Sequence, residues 1–197
     1  MFDFLIAKLP HLRQQLEEFM QLYERIEVPA KTILLREGEV SKKAFFIEKG
    51  CLRAWLNDNG KDITFQFFFE QQGLSSAESF RKNIPSVLTI ETIEPSVIHV
   101  LHKKDYEHVM ATLGRDPAFL KEMIDIIFER QLHYTNEFVS FIRDTPQQRY
   151  LNLLQQKPHI VQRIPQHYIA SYLGITSVHL SRIRNKLARE NKLHAVS

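Results

Sequence analysis

The side chains of this chain best suited to chemistry lie in one run, Gln166 to Leu187, which reads QHYIASYLGITSVHLSRIRNKL. Their types bind rather than catalyse. Arg182 carries a planar guanidinium that can bridge O6 and N7 of a guanine in the major groove. Ser177 and His179 can donate or accept there, and Val178 can touch a thymine methyl. Gln166, His167, Thr176, Lys186 and Arg189 suit phosphate oxygens, contacts that position a protein on a duplex without reading its sequence. The expected chemistry is recognition of double-stranded DNA.

Other candidate chemistry is thin. No GxSxG, HExxH or glycine-rich phosphate loop occurs, and the six glycines are isolated from one another. The chain is therefore expected not to be an enzyme. His99, His102 and His108 have spacings that raise a metal site, but strand and loop histidines so spaced are usually surface residues, and no metal or other cofactor is expected. Cys51 is the only cysteine. It cannot form an internal disulfide or by itself hold an iron–sulfur cluster, and reads as a small buried hydrophobe.

Reading DNA with Arg182 requires a second helix braced by a first. Ala170 supplies the small residue where two helices cross closely, and Gly174, four residues on, supplies the left-handed turn. Ile169, Leu173, Ile175, Leu180 and Ile183 fall at inward positions, and Thr176 sits where an N-cap should open the second helix. At about 100° per residue, Leu180, Ile183 and Leu187 share one face and Val178, Arg182, Asn185 and Arg189 the opposite one. Charge agrees. From Asp144 onward there are eight Lys and Arg against two Asp and Glu, whereas the preceding 143 residues hold 18 against 21. Clustered cations gain by displacing the counterions condensed on a polyanion, and a solvated basic surface is the alternative reading.

Two further textures precede this module. After a helical lead-in through Leu5, Leu9, Leu12, Leu16, Phe19 and Tyr23, residues from about Ile26 to Leu101 are β-rich. Short apolar runs (KTILL, AFFIEK, ITFQFFF, VLTIETI, VIHVL) are split by turn signals, Asn59-Gly60 being a strong two-residue hairpin signal. Many short strands predict a roll or jelly roll. From about Asp116 to Arg143 the pattern is helical. Leu120, Ile124, Ile127, Gln131, Tyr134, Phe138 and Phe141 advance by steps of 4, 3, 4, 3, 4, 3, the seam of a two-stranded coiled coil, with Gln131 as a register-setting polar residue. A second stripe, Phe119, Met123 and Ile126, is expected to face the β domain. Thr145-Pro146-Gln147-Gln148 opens the next helix with a capping box, placing a hinge at Asp144-Thr145. The fold class is thus α+β. The expected domains are a sensor over 1–115, a dimerisation helix over 116–143 and a helix-turn-helix domain over 144–197.

The chain resembles the Crp/Fnr family of bacterial regulators along essentially its whole length. The anchors are the turn in LLREGE, AFFIEKGCLRAW with Gly50, the Asn-Gly hairpin, FFFEQQ and RIPQHYIASYLGITSVHLSRIRNKL. The resemblance implies a cyclic-nucleotide-binding-like β-roll (a double-stranded β-helix or jelly roll), a long dimerisation helix and a winged-helix-type DNA-binding domain. It places a base-reading arginine at Arg182. It implies DNA, a second copy of the chain, a small-molecule effector of unassigned identity and RNA polymerase as partners. Relatives that bind cyclic AMP carry a Gly-Glu pair for the ribose and an Arg for the phosphate. Aligned from FFFEQQ, Ser75-Ser76 occupies the first place and Pro85-Ser86 the second, so cyclic AMP is not expected to bind in the family manner. Ser75, Ser76, Ser86, Tyr134 and Thr135 are candidates to line a residual pocket, which is alternatively filled. The sequence ends some ten residues after the recognition helix, so any wing is expected to be short, with a strand near His159 to Ile164 as its partner. No apolar run approaches the ~18 residues of a membrane span, and the start MFDFLIAKLPHLRQQLEEF lacks the form of a secretory signal. A cytoplasmic location follows. The rival reading is a signalling module that binds a small molecule or protein and has lost DNA binding.

Overall fold

A computed structural model describes residues 3–194. The last three residues of the expected C-terminal domain lie outside them. The chain divides into two compact units, Met1–Leu56 with Phe67–Leu132, and Asn57–Gln66 with His133–Ser197.

The first unit is built on eight strands: β1 Glu24–Val28, β2 Ile33–Leu35, β3 Lys43–Lys49, β4 Leu52–Asp58, β5 Lys61–Phe68, β6 Gly73–Leu74, β7 Thr89–Thr92 and β8 Ser96–His102. They form two four-stranded sheets with orders β1-β8-β3-β6 and β2-β7-β4-β5, the non-sequential order of a jelly roll. Period-2 alternation builds its core. Phe45 and Ile47 of β3, Ile98 and Val100 of β8, Leu52 and Ala54 of β4 and Ile90 of β7 cluster with Leu35, Phe68 and Leu74. Burying these side chains drives the sheets together at about 25 cal/mol per Å². Two helices that the sequence patterns did not single out, α3 Ala77–Lys82 and α4 Lys103–Leu113, flank the strands.

A second, smaller core lies at the helical end of this unit. Helix α1 (Asp3–Lys8), a 3-10 turn (Pro10–Leu12) and α2 (Arg13–Met20) bury Leu5, Leu9, Leu12, Leu16 and Phe19 against Leu113 of α4 and Phe119 of α5 (Pro117–Arg143). This corrects one expectation. Phe119 and Met123 pack among the N-terminal helices rather than on the β core, and Ile126 is exposed. The reason is local. The Asp116 carboxylate accepts the Phe119 N–H at 2.8 Å and sits 2.9 Å from His11 Nε2, pinning the first turn of α5 beside the lead-in.

The second unit comprises residues 133–143 of α5 with α6 (Pro146–Gln156), α7 (Pro158–Arg163), α8 (Gln166–Tyr172), α9 (Ser177–His194) and the β4–β5 hairpin tip. The capping box forms as the sequence predicts: Thr145 Oγ1 accepts the Gln148 N–H and Gln148 Oε1 accepts the Thr145 N–H. The expected wing strand near 159–164 is instead helix α7. Pro158 pre-sets its first turn and Ile160 turns into the core. Among the described residues no strand follows β8. The hairpin tip is as expected, with Asn59 and Gly60 at φ of 51° and 85° and the Gly60 N–H held by Asn57 Oδ1 at 2.8 Å.

Candidate nucleic-acid interface

Helices α8 and α9 cross at Ala170, which is 1% exposed. The Ile175 N–H donates to Ala170 O at 3.0 Å across the turn. Gly174 lies at φ +67°, and a Cβ there would meet the Phe141 ring at 2.6 Å. Glycine is thus required twice, for left-handed backbone and for close approach. Thr176 Oγ1 accepts the His179 N–H at 3.2 Å, the side-chain N-cap expected of it.

Ile169, Leu173, Leu180 and Ile183 are buried, while Ile175 and Leu187 are half-buried. On the opposite face Ser177, Val178, His179, Arg182, Asn185 and Arg189 are exposed, as are Gln166, His167, Thr176 and Lys186. No acidic residue occupies the first turn of α9. The positive end of its macrodipole therefore meets no carboxylate from its own first turn, an arrangement that favours an anion such as phosphate. Lys186 also reaches Gln147 Oε1 at 3.2 Å and Glu190 at 3.8 Å, so its ammonium is placed by neighbours on two helices.

The sequence patterns did not single out what braces this pair. Arg149 of α6 donates from Nη1 to Phe141 O (3.0 Å) and Asp144 O (3.1 Å), and from Nη2 to Leu173 O (3.0 Å). Its guanidinium also lies 4.3 Å from the centroid of the Phe141 ring. One cation thus satisfies orphan carbonyls at the C-terminal ends of both α5 and α8. Asp144 accepts from Ser140 (2.7 Å), Arg143 (2.8 Å) and Asn152 (2.9 Å). These partners, Arg143 first, hold its carboxyl below the usual carboxylate range. Burial alone would push the Glu137 carboxyl up, but Lys157 at 2.6 Å and the Tyr172 hydroxyl hold it down. The junction expected to be a hinge is therefore cross-linked by hydrogen bonds. The hairpin tip joins the same unit, with Ser171 Oγ donating to Asp62 O at 2.6 Å and accepting the Thr64 N–H at 2.9 Å.

In the first unit, the candidate effector residues Ser76 and Ser86 are buried, and Ser75 is half-buried. The Ser86 and Ser76 hydroxyl oxygens lie 2.9 Å apart, while Ser86 Oγ also pairs with Leu88 O at 2.7 Å and accepts the Leu88 N–H. Their polar atoms are satisfied by the loop itself. Tyr134 and Thr135 lie on the second-unit portion of α5, the Tyr134 ring 5.7 Å from that of Phe65. The same first unit holds an unforeseen buried ion pair. Arg53 of β4, 2% exposed, donates from Nε (3.1 Å) and Nη2 (2.9 Å) to Glu91 of β7. Cys51 is buried. His99 pairs with Glu48 at 2.6 Å, and no cluster of His, Cys, Asp and Glu fit for a metal occurs among the described residues.

Residues 25–112 match the family model of the cyclic nucleotide-binding domain. No curated protein matches the chain. Among solved structures, the fold is similar to that of the c-di-GMP responsive global regulator CLP of Xanthomonas campestris, at 16% identity over 90% of this chain and 92% of that one, with a TM-score of 0.73. It is similar to FixK2 of Bradyrhizobium japonicum, at 15% identity over 86% of each chain and a TM-score of 0.70. A mutant of CooA from Carboxydothermus hydrogenoformans gives 15% identity over 88% of this chain and 79% of that one, with a TM-score of 0.68. The fold is thus a jelly roll that matches the cyclic nucleotide-binding domain, followed by a helical region, and it is similar to these three solved structures. No helix among the described residues is long and apolar enough to cross a membrane.

Proposed function

We propose that this chain is a dimeric, sequence-specific transcription regulator of the cytoplasm, with a sensor over 1–115, a dimerisation helix over 116–143 and a DNA-binding module over 144–197. The observation that carries the reading is the division of α9 into a buried apolar row and an exposed row of Val178, Arg182, Asn185 and Arg189. In a two-fold dimer, two such helices spaced about 34 Å apart enter successive major grooves of a palindromic site. Arg182, Ser177, Val178 and His179 read bases. Gln166, His167, Thr176, Lys186 and Arg189 hold phosphates.

Gel shifts against genomic fragments test this. A fragment should be retarded by the wild-type chain at moderate salt, and Arg182→Ala should weaken that specific complex roughly 5- to 150-fold, the worth of about 1–3 kcal/mol for one bidentate base contact. Arg189→Ala should weaken all duplexes alike and flatten the salt dependence. Absence of binding to any duplex above background would remove the reading.

The effector of this regulator is not cyclic AMP bound in the family manner. The support is the pairing of Ser76 with Ser86, where two neutral hydroxyls engage each other and offer a phosphate no counter-cation. Titration calorimetry with cyclic AMP or cyclic GMP should register no heat; a micromolar site would overturn this part.

A further inference from the structure

Asn185 stands midway along the exposed row of α9, between Arg182 and Arg189, and is the neutral member of a charged group. Arg182, Asn185, Lys186, Arg189 and Glu190 line an open cleft of about 340 Å³. Three cations against one carboxylate suit a polyanion, and Lys186 already faces that carboxylate at 3.8 Å. Lys186 is also tied to α6 through Gln147 at 3.2 Å. Asn185 and Arg182 are exposed, and among the described residues neither side chain is spent on a hydrogen bond or ion pair within the chain. A helix lying in a major groove offers base edges the side chains at i, i+3, i+4 and i+7. Counted from Val178, these are Ser181, Arg182 and Asn185, all exposed, while Leu180 and Ile183 between them are buried. Three residues of α-helix rise about 4.5 Å, and successive base pairs lie about 3.4 Å apart. Asn185 is therefore placed one or two base pairs beyond the base read by Arg182.

Resting on the DNA-binding reading above, we infer that Asn185 is a further specificity-determining residue and that the base it reads is adenine. A carboxamide carries a donor and an acceptor side by side. In the major groove adenine alone presents the matching pair, its N7 accepting from the amide nitrogen and its N6–H donating to the amide oxygen. Guanine offers two acceptors, cytosine a donor, and thymine an acceptor beside a methyl group. A phosphate contact would use only the amide N–H, and the three cations of the cleft serve phosphate better. The half-site of this regulator accordingly carries an adenine one or two base pairs from the guanine of Arg182.

Selection of bound duplexes from a pool with a randomised core, using the full chain, tests the assignment. The wild type should enrich duplexes with an adenine at a fixed distance of one or two base pairs from a guanine. Asn185→Ala should lose the adenine preference and keep the guanine, and Arg182→Ala should do the reverse. On the selected duplex Asn185→Ala should bind roughly 5- to 150-fold more weakly. Asn185→Gln, whose amide can form the same pair, should keep the preference. Replacing that adenine by 7-deazaadenine, which lacks the N7 acceptor, should weaken the wild-type complex several-fold and leave the Asn185→Ala complex unchanged. Because Asn185 is exposed, the thermal midpoint of the alanine variant should match that of the wild type. Enrichment without that adenine, an adenine preference that survives Asn185→Ala, or an equal loss on every duplex overturns the assignment and leaves DNA binding standing. Enrichment of no duplex by the wild type would remove the DNA-binding reading itself, and the assignment with it.

Discussion

A Glu91→Ala variant is expected to lose roughly 3–5 kcal/mol of folding stability, the usual cost of stranding one partner of a buried ion pair. Arg53 is 2% exposed and spends two donors on the Glu91 carboxylate. Without it the guanidinium stays buried, because β4 and β7 are in register at Arg53 and Glu91 and neighbouring strands hold the side chain in place. Single domains are stable by only about 5–15 kcal/mol, so the jelly-roll unit should approach its unfolding limit. Urea denaturation followed by tryptophan fluorescence reads this directly, since Trp55 lies 4.9 Å from the Arg53 guanidinium. The double variant Arg53→Met with Glu91→Leu should recover most of the loss, because apolar replacements of similar volume commonly match a buried pair. A change below about 1 kcal/mol in Glu91→Ala would mean that the pair is hydrated in solution.

Gly174→Val should be nearly as costly, and its effect should fall on DNA binding as well. A β-branched residue at φ +67° is strained by about 1–3 kcal/mol. Its Cβ would also press on Phe141 Cζ, 2.6 Å away, adding an overpacking penalty of about 1–3 kcal/mol. Phe141 cannot retreat easily, because Arg149 lies over its ring and binds its carbonyl. Thermal unfolding and gel shift measured together should fall together. Gly174→Ala with Phe141→Leu should relieve the clash while retaining the backbone strain, recovering part of the stability. Full stability in Gly174→Val would show that the turn is not built as described.

Much of the architecture was legible because it follows from short-range rules. Short apolar runs located β2, β3, β4, β5, β7 and β8, and Asn59-Gly60 located the β4–β5 hairpin. Thr145, Pro146 and Gln148 located the start of α6. Ala170, Gly174 and Thr176 located the helix pair, and each has a structural reason: burial, positive φ and a side-chain cap. What escaped was set at long range. The run LRAWL does carry a signal, a cation amid apolar residues, but its partner in TIET is 38 positions away and only sheet pairing joins them. The strand expected near 159–164 followed from the wing that the resemblance implies, whereas Ile160, Val161 and Ile164 fall at helical spacing, and Pro158 and the burial of Ile160 favour the helix found there. Asp144-Thr145 marks a true break between α5 and α6, but nothing local announces that Arg149 closes it by reaching Leu173, 24 residues on.

The amino-acid sequence by itself settled which elements form, because propensity, capping and periodicity act over a few residues and need no partner. It settled as well which face of α9 carries polar groups. Tertiary structure alone decided which side chains of each element are already spent. Tyr134 and Phe141 satisfy the same heptad arithmetic as Phe128 and Ile142, and only packing against Phe65, Gly174 and Arg149 separates them. The physical reason is that a helix repeats every 3.6 residues while a seam repeats every 3.5. Neighbouring stripes are therefore nearly equivalent along the chain, and burial in three dimensions breaks the tie.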